Sequence, residues 1–475
     1  MHRAWTLVLG LLLALLPTTL LAGTAHAATV NVTNATQFTD TDGDIVHAHG
    51  GGVIKVGSYY YWFGENRNSD NTFYAVSVYR STDLKTWEFR NNVLTQASDP
   101  DLATAFIERP KVIYNSTTGK YVMWMHKENG VDYSQARAAI AVSDTIDGNY
   151  TYQGSFQPLG SMSRDITLFK DDDGTAYMIS AANENKDLHI YRLSADYLTV
   201  QSQVQNLFVG SSREAPALFK RNGVYFLLTS GATGWNPNQQ KYATATSVTG
   251  TWSALQNVGN STAYGSQTAY VLPVQGTSGT DYLYMGDRWG NSFGSNVNAS
   301  KYIWLPLEFP TDTTMAMTWY PQIAIDTAAG TVDGVGGPWQ TITARHSSKC
   351  LDVTSASTDD GVQLIQYTCG TGMNQAYWFD DLGTGYVRLM AEHSGKCLAV
   401  SGSSTANGAA IVQQTCTTGT EQQWQLQDTG DGYLRFVSRL SAKCFDITGA
   451  STANGAKLIQ YTCGTGTNQQ FKRGS

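Results

Sequence analysis

Three stretches of the sequence set a carboxylate beside an arginine at the entrance to an apolar run. They are Phe106-Ile107-Glu108-Arg109-Pro110-Lys111, Ser163-Arg164-Asp165-Ile166-Thr167 and Ser211-Ser212-Arg213-Glu214-Ala215-Pro216. Each acid stands where a strand should open, so the three fall at equivalent points of repeated sheet units and should converge at a hub. Converging carboxyl groups can divide labour, because burial and like charge raise one pKa while a neighbour stays ionised. Glycoside cleavage needs that division. One group protonates the leaving oxygen, and inversion also needs a base to activate water across the ring, ordinarily with the carboxyl groups ~6.5–9.5 Å apart. Glu214 is expected to be the acid, with Asp165 beside it raising its pKa.

The elements that must position these acids are short strands. Val53-Ile54-Lys55-Val56-Gly57-Ser58-Tyr59-Tyr60-Tyr61-Trp62 reads as strand, two-residue turn, strand. The pattern returns around Tyr121, Tyr177, Tyr225 and Tyr282, with further strand-like pieces between copies. About four strands per unit and five units predict a five-bladed β-propeller. A sandwich is the alternative, but it would not explain five copies of one hairpin.

Of 475 residues only 15% are charged, while 26 are Tyr and 12 Trp, a balance that suits an extracellular all-β protein. A formal net charge of -7 without a basic stripe excludes a nucleic-acid partner. His2-Arg3, an apolar run from Ala4 to Ala22 and Ala25-His26-Ala27 read as a signal peptide over 1–27, and no later run is long enough to span a membrane. A secreted, monomeric protein is expected.

All six cysteines lie at or beyond Cys350, in pairs 19 apart that recur every 47 residues. In an exported chain this spacing predicts Cys350–Cys369, Cys397–Cys416 and Cys444–Cys463, although six cysteines allow fifteen connectivities. A zinc site lacks both CxxC spacing and clustered histidines. The expected plan is all-β: a propeller over 28–329, a Gly-rich linker over 330–338 and a three-repeat β-trefoil over 339–475.

Lys349-Cys350-Leu351-Asp352-Val353 repeats as Lys396-Cys397-Leu398-Ala399-Val400 and Lys443-Cys444-Phe445-Asp446-Ile447, each followed by a Gln-x-aromatic motif. The repeats resemble the ricin-type lectin fold, carbohydrate-binding module family 13. The resemblance implies sugar sites at Asp352, Tyr367 and Asn374 and at Asp446, Tyr461 and Asn468. The middle repeat has Ala399, Gln414 and Glu421 there and should be silent.

The propeller resembles glycoside hydrolase family 43, with Glu214 matching its general acid and Asp165 its pKa-tuning aspartate. The family's early aspartate base is missing, and Asp44-Ile45-Val46-His47-Ala48-His49-Gly50-Gly51-Gly52 stands in its place. That departure resembles the exo-β-1,3-galactanase subgroup, which carries a second-blade Glu and a fifth-blade Gln, matched by Glu108 and Gln267. The resemblance implies that Gln267 replaces the carboxylate base, as its imidic tautomer or by holding water, helped by Glu108. Arg109, Arg213, Tyr133, Asn183 and Asn185 are further candidates for sugar contacts. For Arg109 and Arg213 a structural ion pair is the alternative.

The expected activity is inverting hydrolysis of β-1,3-galactan backbones such as those of arabinogalactan, with the trefoil as tether. The rivals are an α-L-arabinofuranosidase or β-xylosidase of the same family, which would want the early aspartate, and an inactive two-domain lectin. No cofactor or metal is implied. His47-x-His49 lacks a third ligand, and Asp171-Asp172-Asp173-Gly174 sits where a hairpin turn belongs.

Overall fold

The computed structural model describes, besides Met1, residues 29–293, 296–336, 339–382 and 385–474. The expected signal peptide otherwise lies outside them. Five antiparallel four-stranded sheets follow one another. The first holds His49–Val56, Tyr59–Arg67, Phe73–Ser81 and Glu88–Thr95, and the second Phe106–Asn115, Lys120–Glu128, Arg137–Ser143 and Thr151–Phe156. The third holds Ile166–Lys170, Ala176–Ala182, Asp187–Leu193 and Val200–Leu207. The fourth holds Arg213–Arg221, Val224–Gly231, Lys241–Ala245 and Gln256–Asn257, and the fifth Gln267–Gly276, Gly279–Arg288, Lys301–Thr311 and Thr314–Met317. The repeated hairpins thus form where turn chemistry demands. Asn222 and Gly223, both at positive φ, close the fourth-sheet hairpin between the paired Arg221 and Val224.

The expected count of five is corrected, because the propeller region has six sheets. The sixth is three-stranded, joining Val30–Thr33 to Gln322–Asp326 and Thr331–Val335. No in-line repeat announces it, since Val30 pairs with Ile325 from the other end of the domain. Its Val32, Ile323, Ile325 and Val332 are buried in one cluster with Trp62, Trp87, Tyr302 and Trp304. It supplies none of the residues that line the central cleft. Thr331–Val335 also falls inside the expected linker, so part of that stretch is propeller strand.

The bulges explain the repeated acid motif. Pairing slips between His49 and Gly52, between Glu108 and Lys111, and between Glu214 and Ala217. In each case the next residue is left-handed: Gly50 at φ 61°, Arg109 at 52° and Ala215 at 51°. A bulge breaks strand alternation and re-aims side chains, here around the hub.

Twelve strands from Gln340–Ala344 to Phe471–Gly474 form one connected sheet of three four-stranded repeats, the β-trefoil. Leu351, Leu398 and Phe445 fill equivalent places in its core with Tyr377, Trp424 and Phe471. Gln366, Gln413 and Gln460, all buried, each donate from Nε2 to two backbone carbonyls of a neighbouring repeat. The two domains pack directly. Buried Trp319 of the propeller belongs to a cluster that Trp339 and Met373 extend, and a Cβ on Gly395 would lie 2.8 Å from Trp319.

The three expected disulfides are present. Each closes a short loop, worth about 3 kcal/mol in the chain-entropy model. Replacing Cys397 and Cys416 together by alanine is expected to lower the trefoil's thermal transition by several degrees and leave the propeller's unchanged. Calorimetry of the full chain checks this.

Candidate active site

Glu65, Arg67, Glu108, Arg109, Asp165 and Glu214 meet at a cleft of about 390 Å³. Tyr133, Asn185, Trp235, Gln267 and Trp289 stand among its other walls. All four expected catalytic residues therefore converge, each from the entrance of a different inner strand.

Glu214 is buried. It accepts hydrogen bonds from Gln267 Nε2 at 3.0 Å on Oε1 and from Asn185 Nδ2 at 3.1 Å on Oε2. Burial, then the neighbouring Asp165 charge, push its pKa up to about 8 against the opposing pull of Arg109 and Gln267. Asp165 accepts the Ala215 N–H at 3.0 Å and pairs with Arg109 Nε at 2.9 Å. A carboxyl group held protonated near neutrality beside an ion-paired carboxylate can give up a proton in a reaction.

Glu108 has the opposite environment. Arg67 Nη2 and the Tyr133 hydroxyl each donate to its Oε1 at 2.7 Å, and His126 Nδ1 lies 3.1 Å from its Oε2. Burial would raise its pKa, but Arg67 and His126 hold it well below the usual carboxylate range. His126 loses to burial and gains more from Glu108 and Glu128, so its pKa rises to about 9. Glu108, His126 and Asp165 could bring one atom each to a single point. The imidazole is protonated near neutrality, however, and Arg67 and Arg109 face the two carboxylates. The donor set is an ion-pair network and does not fit a metal ion.

Gln267 is saturated. Its Oε1 accepts from Arg109 Nη2 at 2.7 Å and from Trp289 Nε1 at 2.8 Å, and its Nε2 donates to Glu214 and, at 2.9 Å, to Ser230 Oγ. Arginine and tryptophan can only donate, which fixes the amide orientation. A proton on Oε1, as the imidic tautomer requires, would oppose two donors. In this arrangement Gln267 orients Glu214, and taking up water requires Arg109 or Trp289 to let go.

The missing early aspartate has a steric counterpart. His49 takes the bulge position that Glu108 and Glu214 hold in their sheets, bonded through Nδ1 to Asp287 at 2.9 Å. A Cβ on Gly50 would lie 2.3 Å from Glu65 Oε1, and one on Gly51 would lie 1.6 Å from the Phe63 carbonyl oxygen. Glu65 fills that space, accepting the Arg109 N–H at 2.9 Å and Arg67 Nη2 at 2.6 Å.

Two candidates fall elsewhere. Arg213 turns from the cleft, with Nε and Nη2 donating to the Thr229 hydroxyl and carbonyl at 2.9 and 2.6 Å. Asn183 donates to Asp187 at 3.2 Å and does not line the cleft, whereas its neighbours Glu184 and Asn185 do. Arg67, Glu65, His126, Trp235 and Trp289 were not anticipated from the sequence. Trp235 stands edge-on to Trp289 at 5.0 Å, and Arg67 lies 5.7 Å over its ring. Only the Gly-Ala-Thr-Gly-Trp run at 231–235 offered a local signal, a glycine-flanked aromatic on a loop.

In the trefoil, Asp352 accepts Gln375 Nε2 at 2.7 Å and Asp446 accepts Gln469 Nε2 at 2.7 Å. Tyr367 and Tyr461 are both 46% exposed, and Asn374 and Asn468 donate to Val353 and Ile447 carbonyls, both at 3.2 Å. The first and third repeats thus carry the same polar arrangement with a free ring. In the middle repeat Ala399 offers no acceptor, and Gln422 Nε2 keeps the bond to the Thr415 carbonyl that Gln375 and Gln469 also make to Thr368 and Thr462.

The family model for glycosyl hydrolases family 43 matches residues 49–289, and that for ricin-type beta-trefoil lectin domains matches 331–414, 374–461 and 420–474. The structure is similar to that of an exo-β-1,3-galactanase from Clostridium thermocellum, at 47% identity over 94% of this chain and 99% of that one, with a TM-score of 0.67. It is also similar to an exo-β-1,3-galactanase from Phanerochaete chrysosporium solved with galactose, at 30% identity over 91% and 99% of the chains, with a TM-score of 0.65. A xylan 1,3-beta-xylosidase from Vibrio sp. is 22% identical over 197 residues, 38% of this chain, and the match spans 35% of that curated relative's length. The chain belongs to glycosyl hydrolase family 43 and carries a C-terminal ricin-type β-trefoil lectin domain.

Proposed function

We propose that the protein is a secreted, monomeric exo-β-1,3-galactanase that removes galactose from the ends of β-1,3-galactan backbones with inversion. The observation that carries this reading is the pairing of a protonated acid, Glu214, with an amide, Gln267, where no early aspartate is present. The 47% identity to a galactanase across nearly the whole chain supports it, and a cleft of about 390 Å³ walled by Tyr133, Trp235 and Trp289 suits a terminal sugar. The three disulfides suit export.

In this reading Glu214 protonates the leaving oxygen. Burial and the neighbouring Asp165, paired with Arg109, keep that proton in place until the bond breaks. Glu108, ionised and ringed by Arg67, His126 and Tyr133, receives hydroxyl donors of the terminal sugar. Gln267 steadies the acid and holds the attacking water once substrate displaces one of its two donors, and as the water's oxygen bonds to the anomeric carbon its proton passes to the ionised Glu108. The first and third trefoil repeats hold a second stretch of galactan, and two weak sites on one polymer gain by avidity.

Three outcomes follow from this reading. On a panel of β-1,3-galactan, β-1,4-galactan, arabinan and xylan, the enzyme releases galactose from the first alone. Activity only on arabinan or xylan would defeat the proposal. The acid must be protonated to work, so turnover is present below about pH 8 and is lost as pH rises through Glu214's pKa of about 8. Asp165→Asn removes the like charge and moves that limb to lower pH, while Glu214→Gln costs on the order of 10²–10⁴ in kcat. Finally, calorimetric titration of the full chain with a galacto-oligosaccharide, in a Glu214→Gln background, loses one site on Asp352→Ala and another on Asp446→Ala.

A further inference from the structure

The turn joining Ala176–Ala182 to Asp187–Leu193 is built in an unusual way. Asn183, Glu184 and Asn185 all lie in the left-handed region, at φ 49°, 56° and 57°. Asparagine tolerates that conformation, but a run of three without glycine is one that L-residues avoid. Such a run persists only where surrounding contacts impose it.

Those contacts come from three directions. Arg164 Nη2 reaches Glu184 Oε2 at 2.5 Å and the Tyr133 carbonyl at 2.9 Å, tying the turn to the loop that carries a cleft wall. Asp187 accepts Asn183 Nδ2 at 3.2 Å and the Gly210 N–H at 2.9 Å. Ser212 N donates to the Lys186 carbonyl at 3.2 Å, just ahead of Glu214. The turn holds Asn185 with Nδ2 on Glu214 Oε2, while Asn185 Oδ1 is buried without a protein partner among the described residues.

We propose that Arg164 and Glu184 are positioning residues whose ion pair holds the left-handed turn, so that Asn185 fixes the orientation of the acid Glu214. The inference rests on the reading of Glu214 as general acid. Gln267 steadies Oε1 and the clamped turn steadies Oε2, so the carboxyl group is held from both sides. The charged groups facing Glu214 are Asp165 and Arg109, with Glu108 farther along the network, and Glu65, Arg67, His126, Arg164 and Glu184 itself share the cleft. Of these only Arg164 touches Glu184 through a hydrogen bond among the described residues. Releasing the turn withdraws a donor that favours the ionised carboxylate, so the acid's pKa rises and its rotamer loosens.

The test compares Arg164→Met, Glu184→Ala and Glu184→Gln in the full-length enzyme, with Glu214→Gln as control, on a β-1,3-linked galacto-oligosaccharide. Arg164→Met and Glu184→Ala are expected to lower kcat by roughly tenfold to a hundredfold and to move the alkaline limb to higher pH. Glu184→Gln, whose amide oxygen can still accept from Arg164, should recover most of the activity. The double variant should lose no more than either single change. Wild-type kcat and an unmoved limb in the two disruptive variants would overturn the clamp, as would a lowered thermal midpoint with the limb in place. If Glu214→Gln itself keeps turnover, the failure lies in the acid assignment and not in the clamp.

Discussion

The candidate catalytic cleft depends on one buried guanidinium. Arg109 spends every nitrogen on the hub: its backbone N–H on Glu65, Nε on Asp165, Nη1 on the Thr268 carbonyl at 2.9 Å and Nη2 on Gln267 Oε1. Burial works against its charge, and Asp165, Glu65 and Glu214 restore it. This single residue, backbone and side chain together, bridges four sheets. It keeps Asp165 paired, and burial with that neighbouring charge keeps Glu214 protonated against the direct pull of Arg109 itself. It also fixes the Gln267 amide, whose Nε2 then points at the acid. Removing it would leave buried carboxylates without their counter-charge, a change that is strongly destabilising.

The geometry of Arg109 also shows what the sequence could and could not reveal. The acids were legible because each opens a strand, and the bulge after Glu108 and Glu214 recurs with its proline. The two arginines beside those acids looked alike but have different fates. Arg213 precedes its glutamate in a regular strand, where neighbouring side chains alternate between faces, so it turns to Thr229. Arg109 follows its glutamate inside the bulge at positive φ, and alternation fails there. Arg67, His126 and Glu65 reach Glu108 and Arg109 from other strands, and no local spacing marks such meetings. The sixth sheet was missed for the same reason, since its strands come from opposite ends of the domain.

The trefoil was the more legible half because its repeats are close copies in register. The disulfides and the candidate sugar positions of the first and third repeats fall at fixed offsets, and so do the interlocking glutamines, which only the structure picks out. Its relation to the propeller was not legible. The glycine-rich stretch reads as a loose tether, yet it contributes a strand, and Trp319, Trp339 and Met373 pack the domains together. The candidate sugar positions are thereby set in a fixed relation to the cleft, unlike modules joined by a flexible linker.

The central claim is that burial, together with an arginine-held Asp165, keeps Glu214 protonated in the free enzyme. Carbon-detected NMR of glutamate-labelled protein, with Glu214 assigned by comparison with Glu214→Gln, reads that carboxyl group directly. The account predicts a single carboxyl resonance titrating near pH 8 that moves to lower pH in Asp165→Asn. A Glu214 that titrates near the ordinary value of about 4.3, with or without Asp165, would contradict it.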